Sequence, residues 1–91
     1  MSREKDTEKT VVVFRKFRKE GDIIALFPHI DDGNYRCLSY MQLGQHSGAD
    51  YELVVAISVP AQPFEYEKLF RELEGIGYNL DVRLRKTRNL T

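Results

Sequence analysis

Phe64 to Ile76 is the segment that most limits what this chain can become. Tyr66, Leu69, Phe70, Leu73 and Ile76 recur at helical spacing and form one apolar stripe. Pro63 suits a first helical turn, and Gly75 and Gly77 supply a stop. Glu67 and Arg71 stand four apart, acid before base, the favourable order for a pair on a helix surface. A helix with one apolar stripe needs one apolar surface to bury it against. The chain has 91 residues, enough for one domain with a small core. The remaining apolar segments must supply the opposing surface, and they read as strands.

Thr10–Arg18 is a β-branched and aromatic run, with Val11, Val13, Arg15 and Phe17 on one face and Val12, Phe14, Lys16 and Arg18 on the other. Lys19–Asp22 is a turn in which Gly21 can take positive φ. Ile23–Phe27 is a second strand, so the pair is a hairpin that Pro28 ends. His29–Asn34 carries strong turn chemistry. Tyr35–Leu43 follows as a third strand. Beyond the helix, Tyr78, Leu80, Val82 and Leu84 alternate with Asn79, Asp81, Arg83 and Arg85, the pattern of a half-exposed strand.

Between the third strand and the helix the types change. Gly44 to Tyr51 is small and polar and reads as a loop. Residues 50–58 fit two elements. Val54, Val55, Ile57 and Val59 favour a strand, whereas the S-x-x-D spacing of Ser47 and Asp50, with Glu52 after it, suits a helix start. The balance favours a short helix. The expected fold is therefore α+β: an antiparallel sheet of about four strands, the main helix 63–76 packed on one face, and a second short helix at 50–58. Residues 1–9 read as a flexible arm, 10–86 as the domain and 87–91 as a frayed tail. Val13, Phe17, Ile24, Leu26, Leu38, Leu69, Phe70, Leu73, Val82 and Leu84 are the expected core.

The net charge is zero but segregated. Residues 1–20 carry seven bases and four acids, residues 21–80 three bases and nine acids, and residues 81–91 four bases and one acid. Charge ordered in this way bears on partners and not on fold. The lone Cys37 excludes an internal disulfide, and a buried strand cysteine behaves as a small hydrophobe. The charged start MSREKDTEKT lacks the apolar core of a signal peptide, so a cytoplasmic setting is expected. No apolar run approaches the length of a membrane span.

Several groups of residues are of types that can carry chemistry. His29, Asp31, Asp32, His46 and Asp50 are metal-ligand types, but they follow no metal-binding spacing, and Asp31–Gly33 is explained as a turn. Gly44–Gly48 has the composition of an anion cradle but not that of a nucleotide P-loop. No cofactor, metal or catalytic residue is expected. The segment held between two elements, with Gln45, His46, Ser47 and Asp50 flanked by Tyr40 and Tyr51, is the expected binding surface. A second candidate is a basic face formed by the first and last strands, comprising Arg15, Lys16, Arg18, Arg83, Arg85 and Arg88.

The pieces Ile24-Ala25-Leu26-Phe27-Pro28, Cys37-Leu38-Ser39-Tyr40, Gly44-Gln45-His46 with Ala49-Asp50-Tyr51, Pro60-Ala61, Glu65-Tyr66, Leu69, Glu72-Leu73-Glu74 and Ile76-Gly77-Tyr78 span roughly residues 10–85. Together they resemble small uncharacterised proteins of bacteria and their phages or mobile elements. The resemblance implies a prokaryotic, cytoplasmic setting and carries no mechanism. The expected function is a small non-enzymatic module that binds a macromolecule, a protein first of all, as an accessory protein of phage or mobile-element origin. Nucleic-acid binding through the basic ends is the alternative, and a small enzyme centred on His46 is the third reading. A homodimer is compatible with all three.

Overall fold

Thr10–Phe17 forms β1, the strand that the others flank. The computed structural model describes residues 9–33, 36–41 and 45–85. After β1 come β2 (Ile23–Asp31), β3 (Cys37–Met41), β4 (Gln45–Ala49), α1 (Tyr51–Ala56), β5 (Ser58–Pro60), α2 (Pro63–Ile76) and β6 (Leu80–Arg83). The sheet runs β4-β3-β2-β1, all antiparallel. The far edge of β1 is shared. Its first half pairs with β6 in parallel, from Thr10↔Leu80 to Val13↔Arg83. Its second half pairs with β5 antiparallel, from Arg15↔Pro60 to Phe17↔Ser58. The described sheet thus holds six strands, two more than the meander-plus-one expected, and one of its pairings is parallel. No helix among the described residues is long and apolar enough to cross a membrane.

The β1–β2 turn is closed by Gly21, whose φ of 79° is the left-handed value the turn demands. Pro28 does not end β2, which continues to Asp31. The register jumps from Phe27↔Leu38 to Asp31↔Cys37, so residues 28–30 bulge out of the ladder. A residue without an N–H is tolerated at such an irregularity. The segment 44–51, expected as a loop, is largely strand: Gln45–Ala49 pairs with β3 from Met41↔Gln45 to Cys37↔Ala49. Its residues have little strand preference. The edge of β3 supplies the hydrogen bonds, and local propensity yields to that pairing.

The favoured short helix is present as α1. Asp50 is its N-cap, accepting from the Leu53 N–H at 3.3 Å, so the cap is the Asp of the S-x-x-D pair rather than the Ser. The main helix matches its expected bounds. Gly77 ends it at φ 126°, and Arg71 donates to Glu67 at 2.8 Å. At its start Glu65 accepts from the Gln62 N–H at 2.8 Å and from Lys16 Nζ at 2.6 Å. The Lys16 contact, with the Gln62 N–H behind it, lowers the Glu65 pKa.

Alternation along β1 divides the apolar residues between two cores. On one face Val12, Phe14, Ala25, Phe27 and Tyr40 pack with Leu69 and Leu73 of α2. Phe14 stacks on Tyr66 with ring centroids 4.2 Å apart. On the other face Val13, Ile24, Leu26, Cys37 and Ala49 pack with Val54 of α1. The expected core list mixes the two, because Val13, Phe17, Ile24 and Leu26 turn away from α2. Leu84 is exposed, which corrects its place in the expected core, and Ile76 at the end of the helical stripe is exposed as well. The β6 ladder stops at Arg83, and the next position on β1, Phe14, bonds Ala61 instead.

Leu73 is fully buried. Leu73→Ala is expected to cost about 3 kcal/mol through lost burial and an unfilled cavity. Phe64→Ala, on the same helix but exposed, should shift stability by less than about 0.5 kcal/mol. Urea midpoints at unchanged slope check this. Equal effects of the two substitutions would show that α2 is not seated by its Leu73 face.

Candidate functional site

The register of β3 and β4 separates the expected binding residues. Tyr40 stands opposite His46, on the face covered by α2. Tyr40 is buried, and its hydroxyl donates to Glu72 Oε2 of α2 at 2.5 Å. The His46 ring lies against it with centroids 4.7 Å apart, and His46 Nε2 is 3.0 Å from the Tyr78 hydroxyl. Tyr78 in turn stacks on Phe27 at 5.0 Å. The chain Glu72–Tyr40–His46–Tyr78 therefore pins the outer strand β4 to α2 and to the segment that enters β6. His46 holds the layers together by a hydrogen bond and a ring contact.

Ser47 belongs to the opposite face. Its carbonyl accepts from the Ser39 hydroxyl at 2.9 Å, a cross-strand tie. Asp50 is occupied as the cap of α1, and Tyr51 packs half-buried against the second core. Gln45 lies in β4 opposite Met41. Tyr40 and His46 thus come together on one side of the sheet, while Ser47 and Tyr51 lie on the other. Among the described residues no three His, Cys, Asp or Glu side chains gather where a metal ion would be held.

The basic residues are divided in the same way. Arg15 is only 8% exposed. Its Nε donates to Ser58 Oγ at 2.9 Å, and its Nη2 to the carbonyls of Ser58 at 2.7 Å and Val55 at 3.0 Å. Ser58 Oγ passes a further bond to the Val54 carbonyl at 2.5 Å. A guanidinium placed over carbonyls at the C-terminal end of α1 is favoured there by the helix dipole. Burial lowers the Arg15 pKa below its ordinary value, opposed by Tyr51. Lys16, on the other face, is paired with Glu65. Arg83 is paired with Asp81 at 2.8 Å, which raises the Arg83 pKa and lowers that of Asp81. Arg18 and Arg85 are exposed, and Arg88 lies outside the described residues. β1 and β6 are neighbours as expected, yet Arg15 and Lys16 project from opposite faces of the sheet.

A different surface stands out from the geometry. Phe64 is 79% exposed and Leu84 73%. Pro63, Phe64, Tyr66 and Phe70 form an apolar shelf along one flank of α2. A shallow groove joins that flank to the sheet through Phe14, Tyr66, Val82 and Leu84. Beside it runs the outer edge of β6, which no described strand pairs. The sequence contains a signal for this surface, because Phe64 is a large aromatic that falls off the stripe of Tyr66, Leu69, Phe70 and Leu73. Comparison with protein families, curated proteins and solved structures finds no match for the chain.

Three substitutions test these structural roles. Arg15→Lys is expected to lose about 1.5–3 kcal/mol, because one ammonium cannot reproduce the forked donation to Ser58 and Val55. A melting temperature unchanged by Arg15→Lys would mean that the fork carries no stability. His46→Ala and Tyr78→Phe, combined in a double-mutant cycle, should show a coupling of about 0.5–1 kcal/mol. Additive effects would dissolve the proposed tie.

Proposed function

We propose that this chain is a small non-enzymatic binding module, of the accessory kind carried by phages and mobile elements, whose partner is a protein. The supporting observation is the coincidence of the exposed Phe64 and Leu84 with the strand edge of β6, on one side of the molecule. Exposed aromatic anchors mark protein interfaces, and an open strand edge offers main-chain hydrogen bonds to an incoming strand. The nucleic-acid reading has less behind it. Arg15 is spent on α1, and Lys16 and Arg83 already have carboxylate partners.

The test is nuclease-treated affinity capture with wild type and with the Phe64→Ser/Leu84→Ser variant, after circular dichroism has confirmed equal folding. Partner proteins held by wild type and lost by the variant are the expected result. The same proteins recovered with both baits, or nucleic acid as the sole species whose recovery depends on the bait, would remove this reading.

A further inference from the structure

Hydrogen-bond direction shows which groups of β6 face outward. Thr10 N–H donates to the Asn79 carbonyl at 2.8 Å, and Thr10 stands opposite Leu80. In a parallel ladder with that register, Asp81 and Arg83 turn their backbone toward β1, and Leu80 and Val82 turn theirs outward, with Leu84 following just beyond the ladder. The outward residues are the apolar ones, and their side chains lie on the α2 face. Asp81 and Arg83 put their side chains on the opposite face.

The sequence of this edge, Leu80-Asp81-Val82-Arg83-Leu84, is self-complementary about Val82. We propose that the protein partner is a second copy of this chain, joined β6 to β6 in antiparallel fashion about a two-fold axis through Val82. This deepens the binding-module reading and rests on it. In that register Val82 pairs with the partner copy's Val82 as a hydrogen-bonded pair, which matches its outward-facing backbone. Leu80 faces Leu84 of the other copy, so the exposed Leu84 covers the end of the core marked by Leu80. Asp81 faces Arg83 of the other copy twice, as non-hydrogen-bonded pairs whose side chains approach closest. Charge therefore selects the register. Centring the axis on Asp81 sets acid against acid. Centring it on Arg83 sets base against base, and centring it on Leu84 sets Arg83 against Arg85. The two-fold also brings the α2 layers of both copies to the same side, with the Pro63–Phe70 shelves flanking the seam. The other outer strands, β4 with Gln45-His46-Ser47-Gly48-Ala49 and β5 with Ser58-Val59-Pro60, offer neither the apolar rows nor the charge match.

Charge reversal tests the pairing between copies separately from the ion pair within one chain. Analytical ultracentrifugation of wild type over the micromolar to millimolar range is expected to show a monomer–dimer equilibrium. Asp81→Arg alone and Arg83→Asp alone should each weaken it by about tenfold or more, since two opposite-charge pairs become like-charge pairs. An equimolar mixture of the two variants should recover a heterodimer at wild-type strength, although neither variant regains its internal pair. Circular dichroism of each variant confirms that the monomer stays folded. A wild type that is monomeric throughout, or a mixture that gains nothing over its components, overturns the self-pairing. If the monomeric wild type still captures a protein that Phe64→Ser/Leu84→Ser loses, the self-pairing fails while the binding-module reading survives. If it captures none, both fail.

Discussion

Every layer of this protein is attached to β1. One edge of that strand is covered by β2, and the other is divided between β6 and β5 at Phe14. Its two faces carry the two cores, with Val12 and Phe14 under α2 and Val13 near α1. Arg15 adds a polar link through Ser58 to the end of α1. A strand so enclosed has little solvent contact along its middle, and its Val-rich sequence is what such an environment selects. The division at Phe14 also explains the exposure of Leu84. Ala61 takes the Phe14 carbonyl, leaving β6 no further partner on β1.

How far the fold could be read from sequence depended on whether the signal was local. The stripe of α2 as far as Leu73, its Gly77 stop and the alternation into β6 as far as Val82 all lie within a few residues of one another, and the structure bears them out. The cap of α1 was half legible, because Ser47 and Asp50 share the right spacing and only the β4 ladder decides between them. β4 itself was not legible. Nothing in Gln-His-Ser-Gly-Ala favours a strand, and its hydrogen bonds come from β3. Arg15 was read as a member of a basic face because its partners, Val55 and Ser58, lie 40 and 43 residues away and are uncharged. The expected binding residues are divided between two faces for a related reason. The period of two along β4 sends His46 and Ser47 to opposite sides of the sheet, and a segment read as a loop has no such period.

The geometry redistributes roles among the polar residues. Those that looked functional from sequence, Tyr40, His46, Ser47 and Asp50, form connections between strands and helices. The open edge that lies beside exposed apolar residues, β6, is at the other end of the sheet. An open strand edge is a hazard in a soluble domain unless charge or a specific partner controls it. Asp81 and Arg83 supply that charge on β6, and their alternation limits which strands can dock there.

The parallel pairing of β1 with β6 also affects how the chain is made. Thr10 and Leu80 are partners although 70 positions separate them. A ribosome delivers β1 well before β6. During that interval the Thr10–Val13 edge has no strand beside it, even after β2 and β3 have formed. Long-range closure of this kind slows folding and prolongs the exposure of strand edges. The most strand-prone run in the protein therefore waits longest for its last neighbour. On the ribosome, the vulnerable period of this edge is set by the distance along the chain between β1 and β6.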